Sequence, residues 1–172
     1  LERALAVMAG LGWIGKNANL ISPAFGSFVF LGELFVNIEL EYAKPLPDYC
    51  GGCTKCITAC PTGAIASPGV VNSNRCISYW TIEHKGAIDE KWKGSFQKRI
   101  FGCDICQDVC PWNRRSKPTA VSDFRPSPDL VKMAKEDWFS LTEEDYYRLF
   151  KGTPVKRTGY EGLHRNIRFI SA

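Results

Sequence analysis

The eight cysteines of this 172-residue chain are confined to residues 50–110, in two short runs with a single cysteine between them. The first run is Cys50-Gly51-Gly52-Cys53-Thr54-Lys55-Cys56-Ile57-Thr58-Ala59-Cys60-Pro61, and the second is Cys103-Asp104-Ile105-Cys106-Gln107-Asp108-Val109-Cys110-Pro111. Cys76 lies between them. Thiols two and three residues apart on tight turns can converge on one metal centre, so this spacing restricts the fold more than composition does. Disulfides would suit a small secreted scaffold, but the close repeats within each run argue against them. Paired C-x2-C units also build zinc ribbons. Zinc, however, rarely takes three cysteines in C-x2-C-x2-C followed by C-P, and only His84 and His164 are available for a mixed site. Iron–sulfur ligation fits best, and it implies a reducing, cytoplasmic compartment.

The first run is the C-x2-C-x2-C-x3-C-P pattern of bacterial ferredoxins, in which the fourth cysteine ligates the other of two clusters. The second run repeats the pattern with Ile100 in the slot of its first cysteine. Under that rule Cys50, Cys53 and Cys56 share one cluster with Cys110. Cys103, Cys106 and the exchanged Cys60 share the second, and its last iron takes Cys76. Two [4Fe-4S] clusters need eight thiolates, and the count closes with none over.

Around this centre the chain reads as α+β. Its 45% hydrophobic and 23% charged residues are ordinary for a soluble globular protein, and no run approaches the length of a membrane span. Residues 1–9 read as a helix with Leu1, Leu5, Met8 and Ala9 on one face, stopped by Gly10. Residues 10–17 form a glycine-rich turn ending in Lys16 and Asn17. It is either a tight connection or a loop whose backbone approaches a phosphate or a large flat cofactor. Strands are expected at 19–22, at 28–31, and at 33–40, where apolar residues alternate. Residues 1–44 thus look like the end of an α/β domain, 45–112 like a ferredoxin-like two-cluster domain, and 113–172 like a linker and a basic helical segment. Within the last two, Cys76 is expected to lead a helix over 77–83, residues 85–93 a surface loop, and Thr142 a helix N-terminus. The absence of an initiator Met and the abrupt last residues suggest a piece of a longer protein.

Charge is uneven: residues 113–172 carry twelve basic and eight acidic groups, against three and five in residues 1–49. In the tail, Lys151, Lys156, Arg157, Arg165 and Arg168 face a single acid, Glu161. That is a solvated face or a surface for a polyanion. Two classes of function follow: a ferredoxin-like electron-transfer module, or a reductase whose clusters feed a second cofactor.

Several segments beyond the cysteines carry a family resemblance. Ala9-Gly10-Leu11-Gly12-Trp13-Ile14-Gly15-Lys16-Asn17, Phe25-Gly26-Ser27, Leu31-Gly32-Glu33, Arg75-Cys76-Ile77-Ser78, Gly102-Cys103 through Trp112-Asn113, and Tyr160-Glu161-Gly162-Leu163-His164-Arg165-Asn166 resemble the epoxyqueuosine reductases. The related reductive dehalogenases share the corrinoid-plus-two-cluster plan but would not be expected to carry the basic tail. The resemblance implies a cobalamin-dependent enzyme that removes the epoxide oxygen of epoxyqueuosine in tRNA. Cob(II)alamin would lie between the α/β and cluster domains, faced by Gly15, Leu20 and Leu31 on one side and by Trp80, Gly102, Cys103 and Asp104 on the other. Arg3, Lys156, Arg157 and Arg165 are the implied tRNA contacts. The enzyme would be a monomer with no membrane attachment, fed by an unidentified low-potential donor. The family's proton-donating Asp falls just before the segment matching Leu1, so this chain alone is expected to be inactive. Replacing Cys76 with Ala should lose or convert one cluster and spare the other; intact eight-iron content in that variant would refute the ligand sharing.

Overall fold

A computed structural model of the chain describes residues 1–171, and its backbone forms two compact units. The first gathers Leu1–Asn72 with Asp104–Pro118, and the second Ser73–Cys103 with Thr119 onward. Helices and short hairpins are mixed, as the α+β expectation requires.

In the first unit, α1 (Glu2–Met8) ends in a Schellman turn. Leu11 N–H returns to the Ala6 carbonyl and Gly10 N–H to that of Val7, both at 3.0 Å, with Gly10 in the left-handed region. The helix sits where expected, but its apolar face does not: Leu1 and Met8 are exposed, and small Ala6 is buried instead. The helix packs on the antiparallel pair β1 (Trp13–Ile14) and β2 (Leu20–Ile21), in register Trp13↔Ile21. The glycine-rich segment, expected as a turn, therefore contains a strand. Trp13, Leu20 and Ile21 from this pair are buried.

The strands expected at 28–31 and 33–40 are absent among the described residues. Phe30, Leu34 and Phe35 are 83%, 93% and 96% exposed. Aromatic and β-branched residues make a strand only beside another backbone that takes up their N–H and C=O groups. Among the described residues no strand is paired over either segment, so the propensity goes unused.

After the linker come α2 (Lys55–Ala59), the hairpin β3 (Ile65–Ser67) with β4 (Val70–Val71), and α3 (Ile105–Asp108). Helices this short are marginal alone; α2 is held against α3 and β3. Ala64 and Ile65 are buried behind the first cysteine run. Asn113 clips the second run to residues 25–27. Its side chain accepts from Ser27 N–H at 2.7 Å and donates to Ser27 Oγ at 2.9 Å and to the Gln107 carbonyl at 2.8 Å.

The second unit is built on α4 (Pro128–Lys132), α5 (Lys135–Phe139), α6 (Glu143–Leu149) and α7 (Gly159–Ser171). Thr142 caps α6 as expected, its Oγ accepting from Asp145 N–H at 3.1 Å. Leu141, Tyr146, Phe150, Leu163 and Ile167 form the main core. A second core joins Ile77, Ile88 and Phe96 to Phe169 and Ile170. Ile88 belongs to the segment 85–93 that was expected as a surface loop. Trp92 of the same segment packs against that core as well, so the two pin the segment inward.

The helix after Cys76 is present, but residues Tyr79–Glu83 take the wider π-helical turn, in which His84 N–H reaches Tyr79 at 2.9 Å. Its terminal carbonyls need donors, and α7 supplies them. Asn166, fully buried, donates to the Thr81 and Ile100 carbonyls, each at 2.8 Å. Arg165 donates to the carbonyls of Trp80, His84 and Gly86 at 2.8–2.9 Å. No helix among the described residues is long and apolar enough to cross a membrane. Asn166→Leu orphans the Ile100 carbonyl and should cost about 1–3 kcal/mol. Thr142→Ala loses only an exposed cap, about 1 kcal/mol. Urea unfolding midpoints should rank the variants in that order.

Candidate metal centre

The first cysteine run is shaped by backbone turns. Cys53 N–H bonds to the Cys50 carbonyl at 3.0 Å, and Asp48 fixes Cys50 by accepting its N–H at 2.7 Å. Cys56 stands in the first turn of α2, and Cys110 follows α3 with its N–H on the Gln107 carbonyl at 3.0 Å. These four thiols line one cavity of about 300 Å³, closed by Ile21, Tyr49 and Trp112. They are the four that the ferredoxin rule assigns to one cluster. Among the described residues no carboxylate or imidazole lines the cavity, so the donor set suits an iron–sulfur cubane. No three His, Cys, Asp or Glu side chains among the described residues converge on a single ion position. A cubane asks instead for thiolates spread over four corners.

Tryptophan and lysine complete this site, which the cysteine spacing did not disclose. Trp13 donates its indole N–H to Cys50 Sγ at 3.4 Å, and its ring packs edge-on against Tyr49 and Trp112 with centroids 5.1 and 4.9 Å away. Lys16 Nζ donates to the Gly51 and Cys53 carbonyls at 2.6 and 3.0 Å. Asn17 reaches the Cys106 carbonyl at 3.4 Å. The glycine-rich segment is thus a clamp on both cysteine runs. Its unusual Trp-x-x-Lys-Asn ending was the available signal, but nothing local revealed what it grips.

The other four cysteines are placed as follows. Cys60 and Cys106 lie in the first unit, and Cys76 and Cys103 in the second. Cys76 N–H bonds to the Ser73 carbonyl at 2.9 Å, and Cys103, packed against the Ile77–Phe96 core, accepts Ser78 Oγ–H on its carbonyl at 3.4 Å. None of the eight is in a disulfide. Their acidities differ. Burial pushes the Cys56 thiol up, with Cys50 and Cys110 adding to the effect. Burial also acts on Cys60, but the Thr62 hydroxyl and the amides of Ala64, Thr62 and Ile65 outweigh it, and the thiol ends below its ordinary value.

Comparison with known proteins agrees with this centre. Residues 49–113 match the 4Fe-4S double cluster binding domain family. Along 99% of its length the chain is similar to epoxyqueuosine reductases. The epoxyqueuosine reductase of Cellulophaga algicola is 51% identical over 170 residues, covering 99% of this chain and 56% of the relative. That of Escherichia coli is 46% identical over 167 residues, covering 97% and 44%. A solved epoxyqueuosine reductase in complex with an epoxyqueuosine-modified tRNA stem loop superposes with a TM-score of 0.91 at 34% identity, covering 99% of this chain and 45% of that one. The Bacillus subtilis structure gives the same values. The chain spans about half the length of the curated relatives it matches.

The residues that the resemblance to epoxyqueuosine reductases assigns to cobalamin are not alike in the structure. A Cβ on Gly15 would stand 2.4 Å from Ile21 Cδ1, so glycine there makes room for Ile21. Leu20, its neighbour on β2, is buried as well. Both residues therefore lie inward in this chain. Leu31 is half-buried and Asp104 exposed. Trp80 donates its indole N–H to the Asn74 carbonyl at 2.9 Å. Gly102 has a φ of +73°, its N–H on Thr81 Oγ at 3.0 Å, and open space where a Cβ would stand. A bare backbone of that kind fits the approach of a large planar group.

The four cations assigned to RNA also separate. Lys156 is exposed; Arg157 is exposed and paired with Glu83 at 2.6 Å; Arg3 donates to the Ala18 carbonyl. Arg165 is half-buried, with its guanidinium spent on backbone carbonyls and on Asn166. In cluster-free protein, alkylation of Cys60 should rise at a lower pH than that of an ordinary thiol, and alkylation of Cys56 at a higher one. Peptide mass mapping of iodoacetamide labelling across pH 6–10 reads both curves, and coincident curves would contradict the local environments described.

Proposed function

We propose that the chain binds two [4Fe-4S] clusters and is the electron-supplying part of a reductase converting epoxyqueuosine in tRNA to queuosine. The observation that carries this reading is the single cavity lined by Cys50, Cys53, Cys56 and Cys110, within a chain similar throughout to epoxyqueuosine reductases. Cys60, Cys76, Cys103 and Cys106 are assigned to the second cluster by the ferredoxin rule. Taking an epoxide to an alkene and water consumes two electrons and two protons. A cubane passes electrons singly, so two clusters in one chain suit a reaction that needs a pair. A stand-alone electron-transfer module is less favoured, because similarity extends far beyond residues 49–113.

Cobalamin is the proposed second cofactor. When bound it would supply a low-potential metal centre for the epoxide carbon. Gly15, Leu20, Leu31, Trp80, Gly102, Cys103 and Asp104 are this chain's candidates for facing it, and the bare backbone at Gly102 suits a close approach. On this reading residues 1–44 close a cobalamin-binding α/β domain, 45–112 hold the clusters, and 113–172 carry the basic helical part. Lys156, Arg157 and Arg3 are assigned to the RNA backbone, where phosphate neutralisation dominates affinity. Arg165 is assigned to the scaffold. The reading places the protein in the cytoplasm as a monomer fed by a low-potential donor.

Anaerobic reconstitution with iron and sulfide should give about eight irons per chain, as two cubanes demand. The natural protein that carries this chain, given cobalamin, a low-potential reductant and epoxyqueuosine-containing tRNA, should form queuosine by nucleoside mass spectrometry. Its Cys110→Ala variant should not. Undiminished conversion by that variant would overturn the reading.

A further inference from the structure

The cluster cavity in the first unit is not electrically neutral around its thiols. Trp13 aims an indole N–H at Cys50 Sγ, and Lys16 holds an ammonium on the carbonyls of Gly51 and Cys53, within the lining of the same cavity. Both come from the segment that the sequence left between a plain turn and a cofactor loop. Neither is needed to complete a ligand set, since four cysteines already do so.

We propose that Trp13 and Lys16 set the reduction potential of the cluster held by Cys50, Cys53, Cys56 and Cys110, raising it above the value its thiolates alone would give. Reduction adds one negative charge to the cluster and its sulfur ligands. An N–H donor to sulfur and a fixed cation both stabilise that added charge more than they stabilise the oxidised form. Hydrogen bonds to the sulfurs, net charge and solvent exposure are the levers by which proteins move these potentials. Two features of the cavity strengthen the effect. Tyr49, Trp112 and Ile21 line the cavity and Trp13 packs edge-on against the first two, so this apolar side screens charge less than water would. The two carbonyls hold the lysine in place, so its charge stays at one position instead of sweeping through solvent.

Cys60, assigned to the other cluster, has its own sulfur donors in the hydroxyl of Thr62 at 3.7 Å and the amide of Ala64 at 3.2 Å. The assignment of Trp13 and Lys16 rests on the ligand reading proposed above for Cys50, Cys53, Cys56 and Cys110.

The test is a potentiometric titration of the reconstituted protein, followed by electron paramagnetic resonance, for wild type, Lys16→Met, Lys16→Arg and Trp13→Phe. In Lys16→Met and Trp13→Phe, one cluster signal should move to lower potential and the other should stay. Lys16→Arg, which keeps the charge, should remain near wild type. Cys110→Ala then identifies the cluster: the signal it removes should be the one that moved. If the moving signal survives in Cys110→Ala, the ligand reading fails while the tuning stands. Unchanged potentials in both Lys16→Met and Trp13→Phe, at full iron content, would overturn the tuning. So would loss of the cluster in every variant, because that would give these residues a structural role alone.

Discussion

The controlling constraint is that four thiols must be held at fixed positions by chain segments too short to hold themselves. The helices next to the ligands are four and five residues long, well below the length at which a helix persists unaided. Rigidity has to come from side chains that grip their backbone. Lys16 takes two carbonyls of the first run, Asn17 one of the second, and Asn113 ties the second run to residues 25–27. Charge, amide and hydroxyl groups thus do locally what a long ladder of backbone bonds does in a regular fold. The same logic recurs in the second unit, where Asn166 and Arg165 of α7 satisfy the open end of the π-helical turn after Cys76.

This arrangement separates two kinds of glycine. Gly15 is small because Ile21 occupies the space its side chain would need, a requirement of packing. Gly102 is free on that side and is held in a left-handed conformation, which leaves bare backbone next to a cysteine. The two positions thus need glycine for different physical reasons. A similar division falls among the arginines, since Arg157 keeps its charge outside while Arg165 is drawn in to cap carbonyls.

The sequence disclosed what depends on short spacing. The end of α1 at Gly10 and the Thr142 cap are local rules, and the structure agrees with both. It did not disclose what depends on distant partners. Alternation over residues 33–40 reads as a strand, but a strand is a pair property and no strand is paired there among the described residues. Trp13 and Lys16 touch Cys50 and Cys53 across more than thirty residues of chain, and no periodicity reports such a contact. Asn166 was part of a recognised motif, yet its buried role became legible only once the π-helical turn was seen.

Trp13 also makes the protein legible from outside. Its indole donates to Cys50 and packs edge-on against Trp112, so of the five tryptophans one lines the four-cysteine cavity and another touches a cysteine of it. An iron–sulfur cubane absorbs broadly where indoles emit, and a chromophore at van der Waals range drains their excited state. On the proposed ligand reading, light emission from this chain would register how full that cavity is: dim when loaded, brighter as iron is lost. Oxygen damage could be followed in real time without opening the sample.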